Sequence, residues 1–77
     1  MLYDNRITGK IIMELRQKKG LTQEVVSGLA GIPRSHLAMI ERGTVNPKVD
    51  TLWRIAEALG LQLSELIALV EREHSDY

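Results

Sequence analysis

Apolar residues recur along this chain at helical rather than strand spacing, and four clusters of glycine or proline divide them. The breaks are Gly20-Leu21-Thr22, Gly31-Ile32-Pro33, Gly43-Thr44-Val45-Asn46-Pro47 and Gly60-Leu61-Gln62. Glycine supplies the left-handed residue that ends a helix, and proline is tolerated only at or before a helix start. The pattern predicts five helices joined by short loops, without an interdomain linker or an internal repeat. The first runs from about Ile7 to Lys19, with Ile7, Ile11, Ile12 and Leu15 on one stripe. Lys18 and Lys19 fall in its last turn, where cations suit the helix dipole. The second starts after Thr22, a good N-cap, with Glu24 in its first turn. The third begins near Pro33 or Arg34 and ends before Gly43. The fourth covers about Val49 to Leu59, with Val49, Leu52, Trp53, Ala56 and Leu59 along one side. The fifth covers about Leu63 to Glu73 and carries Leu63, Leu66, Ile67 and Val70; the tail, His74 to Tyr77, is expected to fray.

Length confines these helices to one domain of 77 residues, its core at about 7–73. A domain of this size buries only about 60% of the surface its unfolded chain exposes. There is no cysteine, which excludes disulfides and thiolate metal sites. Phe is absent and Trp53 is the only Trp, so Leu, Ile, Val and Ala must supply an all-α core. No run approaches the roughly 18 apolar residues of a membrane span, and Met1 to Lys10 lacks a stretch of signal-peptide length. A cytoplasmic protein is expected, with no membrane partner and no ligand-binding or cleavage domain after Tyr77.

The net charge is zero, but its distribution is not even. Residues 1–48 hold eight basic and four acidic side chains, a net +4, whereas residues 49–77 hold two basic and six acidic ones, a net −4. Such polarity suits a chain that offers one end to phosphates and the other to protein.

The most informative stretch is Gln23 to Glu41. A helix-turn-helix packs two short helices at a steep angle through a tight turn, which constrains particular positions. The fifth residue of the first helix must be small, and here it is Ser27. The ninth, in the turn, favours glycine because its backbone is left-handed, and here it is Gly31. The fourth, eighth, tenth, fifteenth and eighteenth must be apolar, and here they are Val26, Ala30, Ile32, Leu37 and Ile40. All seven constraints are met in one register.

The segments LTQEVVSGLAGIPRSHLAMIERG and NPKVDTLWRIAEALG closely resemble the Cro/phage-repressor (XRE) type of helix-turn-helix regulator, over about Gly9 to Ile67. The specific features are the Leu-Thr-Gln opening of the second helix, the Ile-Glu-Arg-Gly close of the third, and Asn-Pro before the fourth. The resemblance implies an all-α, five-helix, lambda-repressor-like domain that binds double-stranded DNA, with the third helix (33–41) in the major groove. Carried over by position, the base readers are Arg34, Ser35 and Met39. Arg34 suits guanine O6 and N7, Ser35 is weakly selective, and Met39 can offer only apolar contact, as to a thymine methyl; a core role for Met39 is equally open. Phosphate contacts fall by the same resemblance to Thr22, Gln23, His36, Arg42, Thr44, Asn46 and Lys48. Arg16 and Glu41 match a family pair that ties the first helix to the end of the third, so a partly buried ion pair is expected. Departures from the family pattern are Gly28 in mid-helix, Pro33 where a capping Ser or Thr is common, and Leu29 at an often polar position.

One module reaches few base pairs, so specificity normally requires two half-sites and a homodimer. The fifth helix holds more apolar surface than its own core needs. Part of the set Leu61, Leu63, Leu66, Ile67 and Val70, with Trp53 nearby, is expected to form a two-fold interface; closing the monomer core is the competing use. Stand-alone members of the family resembled include phage regulators, restriction–modification controllers and antitoxins, so a toxin or other protein partner is a second reading. No enzyme is indicated. His36 and His74 lack acidic residues at metal-ligand spacing, the serines lack a nucleophile context, and no phosphate loop or small-molecule site is evident; no cofactor is expected.

Overall fold

Each loop between helices holds a glycine of positive φ, and the side chains of Asp4 and Thr22 cap two of the helix starts. In the computed structural model, which describes residues 3–75, five helices follow in order. They are α1 (Asn5–Lys18), α2 (Gln23–Ala30), α3 (Arg34–Arg42), α4 (Val49–Ala58) and α5 (Leu63–Ser75), with no strand among the described residues. α1 starts two residues before its apolar stripe because Asp4 caps it, its carboxylate accepting from the Arg6 backbone N–H at 2.9 Å. α5 runs on through His74 and Ser75, so that part of the tail is helical; Asp76 and Tyr77 lie outside the described residues. No helix among the described residues is long and apolar enough to cross a membrane.

The core draws on every helix: Ile7, Ile11 and Ile12 of α1, Val26 and Ala30 of α2, Leu37 and Ile40 of α3, Leu52, Ile55 and Ala56 of α4 with the following Leu59, and Leu66 and Val70 of α5. α1 packs on α3 and α5, α2 packs on α3 and α4, and α4 closes on α5. Two expectations need correction. The buried stripe of α4 is Leu52, Ile55, Ala56 and Leu59, at i, i+3, i+4 and i+7, which turns Val49 and Trp53 (54% exposed) outward. In the fifth helix Leu66 (0% exposed) and Val70 (6%) fill the monomer core and are not free interface surface. Only packing, not composition, decides which part of so apolar a helix closes its own core.

α1 and α3 cross at Gly9. A methyl group there would meet the backbone carbonyl oxygens of Ile40 and Glu41 well inside contact distance. Any side chain would thus push the end of α3 away from α1, and it is this crossing that sets the depth at which α3 sits.

Candidate nucleic-acid interface

α2 is locked at both ends. The Thr22 hydroxyl oxygen accepts from the Val25 N–H at 3.1 Å, as its N-cap position predicts. Gly31 ends the helix at φ 70°, and the Ile32 N–H closes back on the Ser27 carbonyl at 3.0 Å. Ser27 is buried, and its hydroxyl donates to the Glu24 carbonyl at 3.1 Å. With Val26, Ala30, Leu37 and Ile40 buried and Ile32 half-buried, the seven constrained positions take the environments their chemistry requires.

α3 starts differently. Pro33 provides an extended residue with φ −61° and ψ 143°, but no side chain caps the helix. With about 100° between successive residues, the buried Leu37, Ile40 and Glu41 define the inward side. Ser35, Met39 and Arg42 then point most directly outward, with Ala38 and Arg34 on one flank and His36 on the other. Arg34, Ser35 and Arg42 are exposed, while His36, Ala38 and Met39 are half-buried. Met39 and Ala38 lie outside the hydrophobic core cluster, which decides the open question over Met39 against a core role.

Apart from His36, which is half-buried on a flank of α3, the residues proposed for phosphate contact fall into two groups. Thr22 and Gln23, with Arg34 and Arg16, line one open groove between the start of α2 and α3. Arg42, Thr44, Asn46 and Lys48 are all exposed along the stretch that leaves α3 and enters α4. Thr44 also caps α3, its hydroxyl donating to the Met39 carbonyl at 3.1 Å.

The Arg16–Glu41 pair forms, and it is larger than a pair. Arg16 Nε donates to Glu41 Oε2 at 2.8 Å and Nη2 to Oε1 at 3.0 Å, a two-pronged contact between side chains only 12% and 3% exposed. Arg16 Nη1 donates to the Leu21 carbonyl at 2.9 Å, and Gln23 Nε2 donates to Glu41 Oε1 at 3.0 Å. The hydrogen bonds that Arg16 donates to Glu41 hold its guanidinium above its ordinary pKa, with burial acting in the opposite sense. The glutamate therefore ties together the end of α1, the loop after it, and the start of α2. The resemblance assigned Gln23 to phosphate alone. In the fold its amide already spends one N–H on Glu41, and only the second is free to face outward.

Around the turn between α4 and α5, Trp53, Leu61 and Leu63 line an open groove with Glu57, Gln62 and Ser64, and Ile67 follows one turn beyond Leu63. Leu61, Leu63 and Ile67 are half-buried. Val25 and Leu29 (67% exposed) form a separate apolar stripe on the outside of α2.

The Helix-turn-helix family model HTH_3 matches residues 12–66. The HTH-type transcriptional regulator y4dJ of Sinorhizobium fredii is 42% identical over 62 residues, 80% of each chain. The immunity repressor protein of Bacillus phage phi105 is 38% identical over 72 residues, which cover 90% of this chain and 50% of that one. This chain thus spans about half the length of the phage repressor. Among solved structures, the restriction-modification controller protein C.AhdI of Aeromonas hydrophila superposes with a TM-score of 0.78 at 35% identity, over 80% of this chain and 94% of that one.

Proposed function

This chain belongs to the HTH_3 helix-turn-helix family, and on that premise we propose that it is a sequence-specific, double-stranded DNA-binding transcriptional regulator. It acts as a repressor, as a homodimer on a palindromic operator, with α3 in the major groove. The observation that carries this reading is the division of α3. Leu37, Ile40 and Glu41 anchor one side to the core, while Ser35 and Arg42 stand exposed on the other and Arg34 stands exposed at the start of the helix. Base contacts come from Arg34, Ser35 and Met39. Thr22, Gln23, His36, Arg42, Thr44, Asn46 and Lys48 position the helix on the phosphates. The names of the relatives, a phage immunity repressor among them, support the same reading.

The two-fold contact is assigned to Leu61, Leu63 and Ile67 with Trp53, the part of the expected set that the monomer core leaves accessible. Selection of binding sites from a randomised duplex library with the purified protein tests the proposal. The expected result is two inverted half-sites about one helical turn apart, with affinity that falls steeply as salt rises because bound phosphates release counterions. Failure to enrich any sequence at low salt, with the protein folded, overturns it.

A second reading, a module whose main partner is another protein such as a toxin, is favoured by one feature. Val25 and Leu29 present apolar surface on α2 that neither the core nor α3 uses. The two roles are compatible, since neither Val25 nor Leu29 is among the residues assigned to DNA.

A further inference from the structure

The side chains α3 can offer to base edges form an unusually short inventory. Along its outward side and flanks the helix carries Arg34, Ser35, His36, Ala38, Met39 and Arg42. No Asn or Gln is present, the residue types that pair with the adenine edge. The one carboxylate of α3, Glu41, is buried and bound to Arg16 and Gln23, so none is free to accept from cytosine N4. What remains for direct readout is a guanidinium at the start of the helix, the weakly selective hydroxyl of Ser35, and an apolar pair, Ala38 and Met39. Both are half-exposed and lie outside the core cluster. Met39 points outward with Ser35 and Arg42, Ala38 lies on the adjoining flank, and Arg34 precedes Leu37 by three residues and Ala38 by four on the same helix.

In the major groove the only apolar feature a base presents is a methyl group on pyrimidine C5. We infer that this protein reads the C5-methyl of pyrimidines through Met39 and Ala38, beside a guanine read by Arg34. The inference rests on the DNA-binding reading above and makes it more specific. Its chemical consequence is that the methyl, not the rest of the thymine, carries the recognition. Neither side chain forms a hydrogen bond to the O4 of thymine or the N4 of cytosine, so a methyl at C5 of cytosine meets the same contact. The protein then distinguishes 5-methylcytosine from cytosine at that position and responds to cytosine methylation of its operator.

The test uses the operator obtained by library selection and the full chain. Binding is measured by fluorescence anisotropy on duplexes in which uracil replaces each thymine in turn, which removes the methyl and nothing else. At one or two thymines per half-site the affinity should fall about fourfold per methyl, as expected for loss of one buried methyl group. At the same positions, a duplex with 5-methylcytosine opposite guanine should bind more tightly than its cytosine counterpart by a similar factor. Met39→Ala should keep its thermal melt and lose most of the thymine-over-uracil preference, because Met39 lies outside the core.

Equal affinity for the thymine and fully uracil-substituted operators overturns the inference while leaving sequence-specific binding intact. So does a Met39→Ala, Ala38→Gly double variant that keeps the full preference. A library that enriches no sequence defeats the DNA-binding reading itself, and this inference with it.

Discussion

The two ends of α3 lie only about 12 Å apart along the helix axis, yet they are built on opposite principles. At the last turn, Glu41 is 3% exposed and accepts from both Arg16 and Gln23, while α1 crosses so closely at Gly9 that no side chain fits between. At the first turn, Pro33 gives no side-chain cap, and Arg34 and Ser35 stand in solvent. One end is committed to holding the helix in place and the other leaves its donors unspent for a ligand. The contrast explains how so small a domain can present a rigid reading surface: the buried Glu41 network and the Gly9 crossing hold the helix, and its exposed side chains are left to read.

The largest effect is expected where a charge would be stranded. Glu41→Ala leaves the nearly buried Arg16 guanidinium and the Gln23 amide without their acceptor, and should cost roughly 3–5 kcal/mol. That is a large share of the roughly 5–15 kcal/mol that a domain has in total. Thermal melts followed by circular dichroism would show it, and an unchanged melt would mean the network holds nothing together.

Gly9→Ala probes the same end by steric means. The added methyl runs into the carbonyls of Ile40 and Glu41, and the crossing should open at a cost of about 1–3 kcal/mol, measurable as a lower midpoint in urea. The identical substitution at Gly28 should go the other way. A methyl there meets nothing within 4 Å, so Gly28→Ala should gain about 1 kcal/mol of helix propensity. A loss of stability in that variant would contradict the exposed placement of this face of α2.

The smallest effect concerns the start of α1. Hydrogen bonds from the Arg6 guanidinium first, and from its backbone N–H second, hold the Asp4 carboxyl below its ordinary value of 3.8. A carboxylate whose pKa is lower in the folded state stabilises the fold above its unfolded pKa, and that contribution is lost as pH falls through the folded value. Asp4→Asn should therefore melt slightly below the wild type near neutral pH, with the gap closing as pH drops below 3.8. A gap that stays constant through the acid range would remove the charge from the explanation.

Much of this was legible in the residues. Glycine and proline mark every loop, the apolar period places the inward stripe of α1, and the helix-turn-helix pattern places those of α2 and α3, because these signals are local and strong. The start of α1 was harder to see because Asn5 and Arg6 are polar and the Asp4 cap precedes the first apolar residue. The face of α4 was misread by a fraction of a turn, since Val49 and Trp53 are as apolar as the residues that are buried. The role of Gln23 in the Glu41 network depends on an approach between residues 18 positions apart, which no local pattern encodes. Gly9 carried a signal that could have been used: a glycine in mid-helix, flanked by the apolar stripe, often marks where another backbone comes close.

The most direct test of the division within α3 is Arg34→Ala, with the thermal melt and the affinity for the selected operator measured on the same preparation. The expected result is a melt within about 0.5 kcal/mol of wild type, as for an exposed side chain, together with a loss of roughly 1–3 kcal/mol in specific binding and relaxed preference at one guanine. An affinity that does not change, or one that falls only in step with the melt, would contradict the account of α3 as a reader held from its far end.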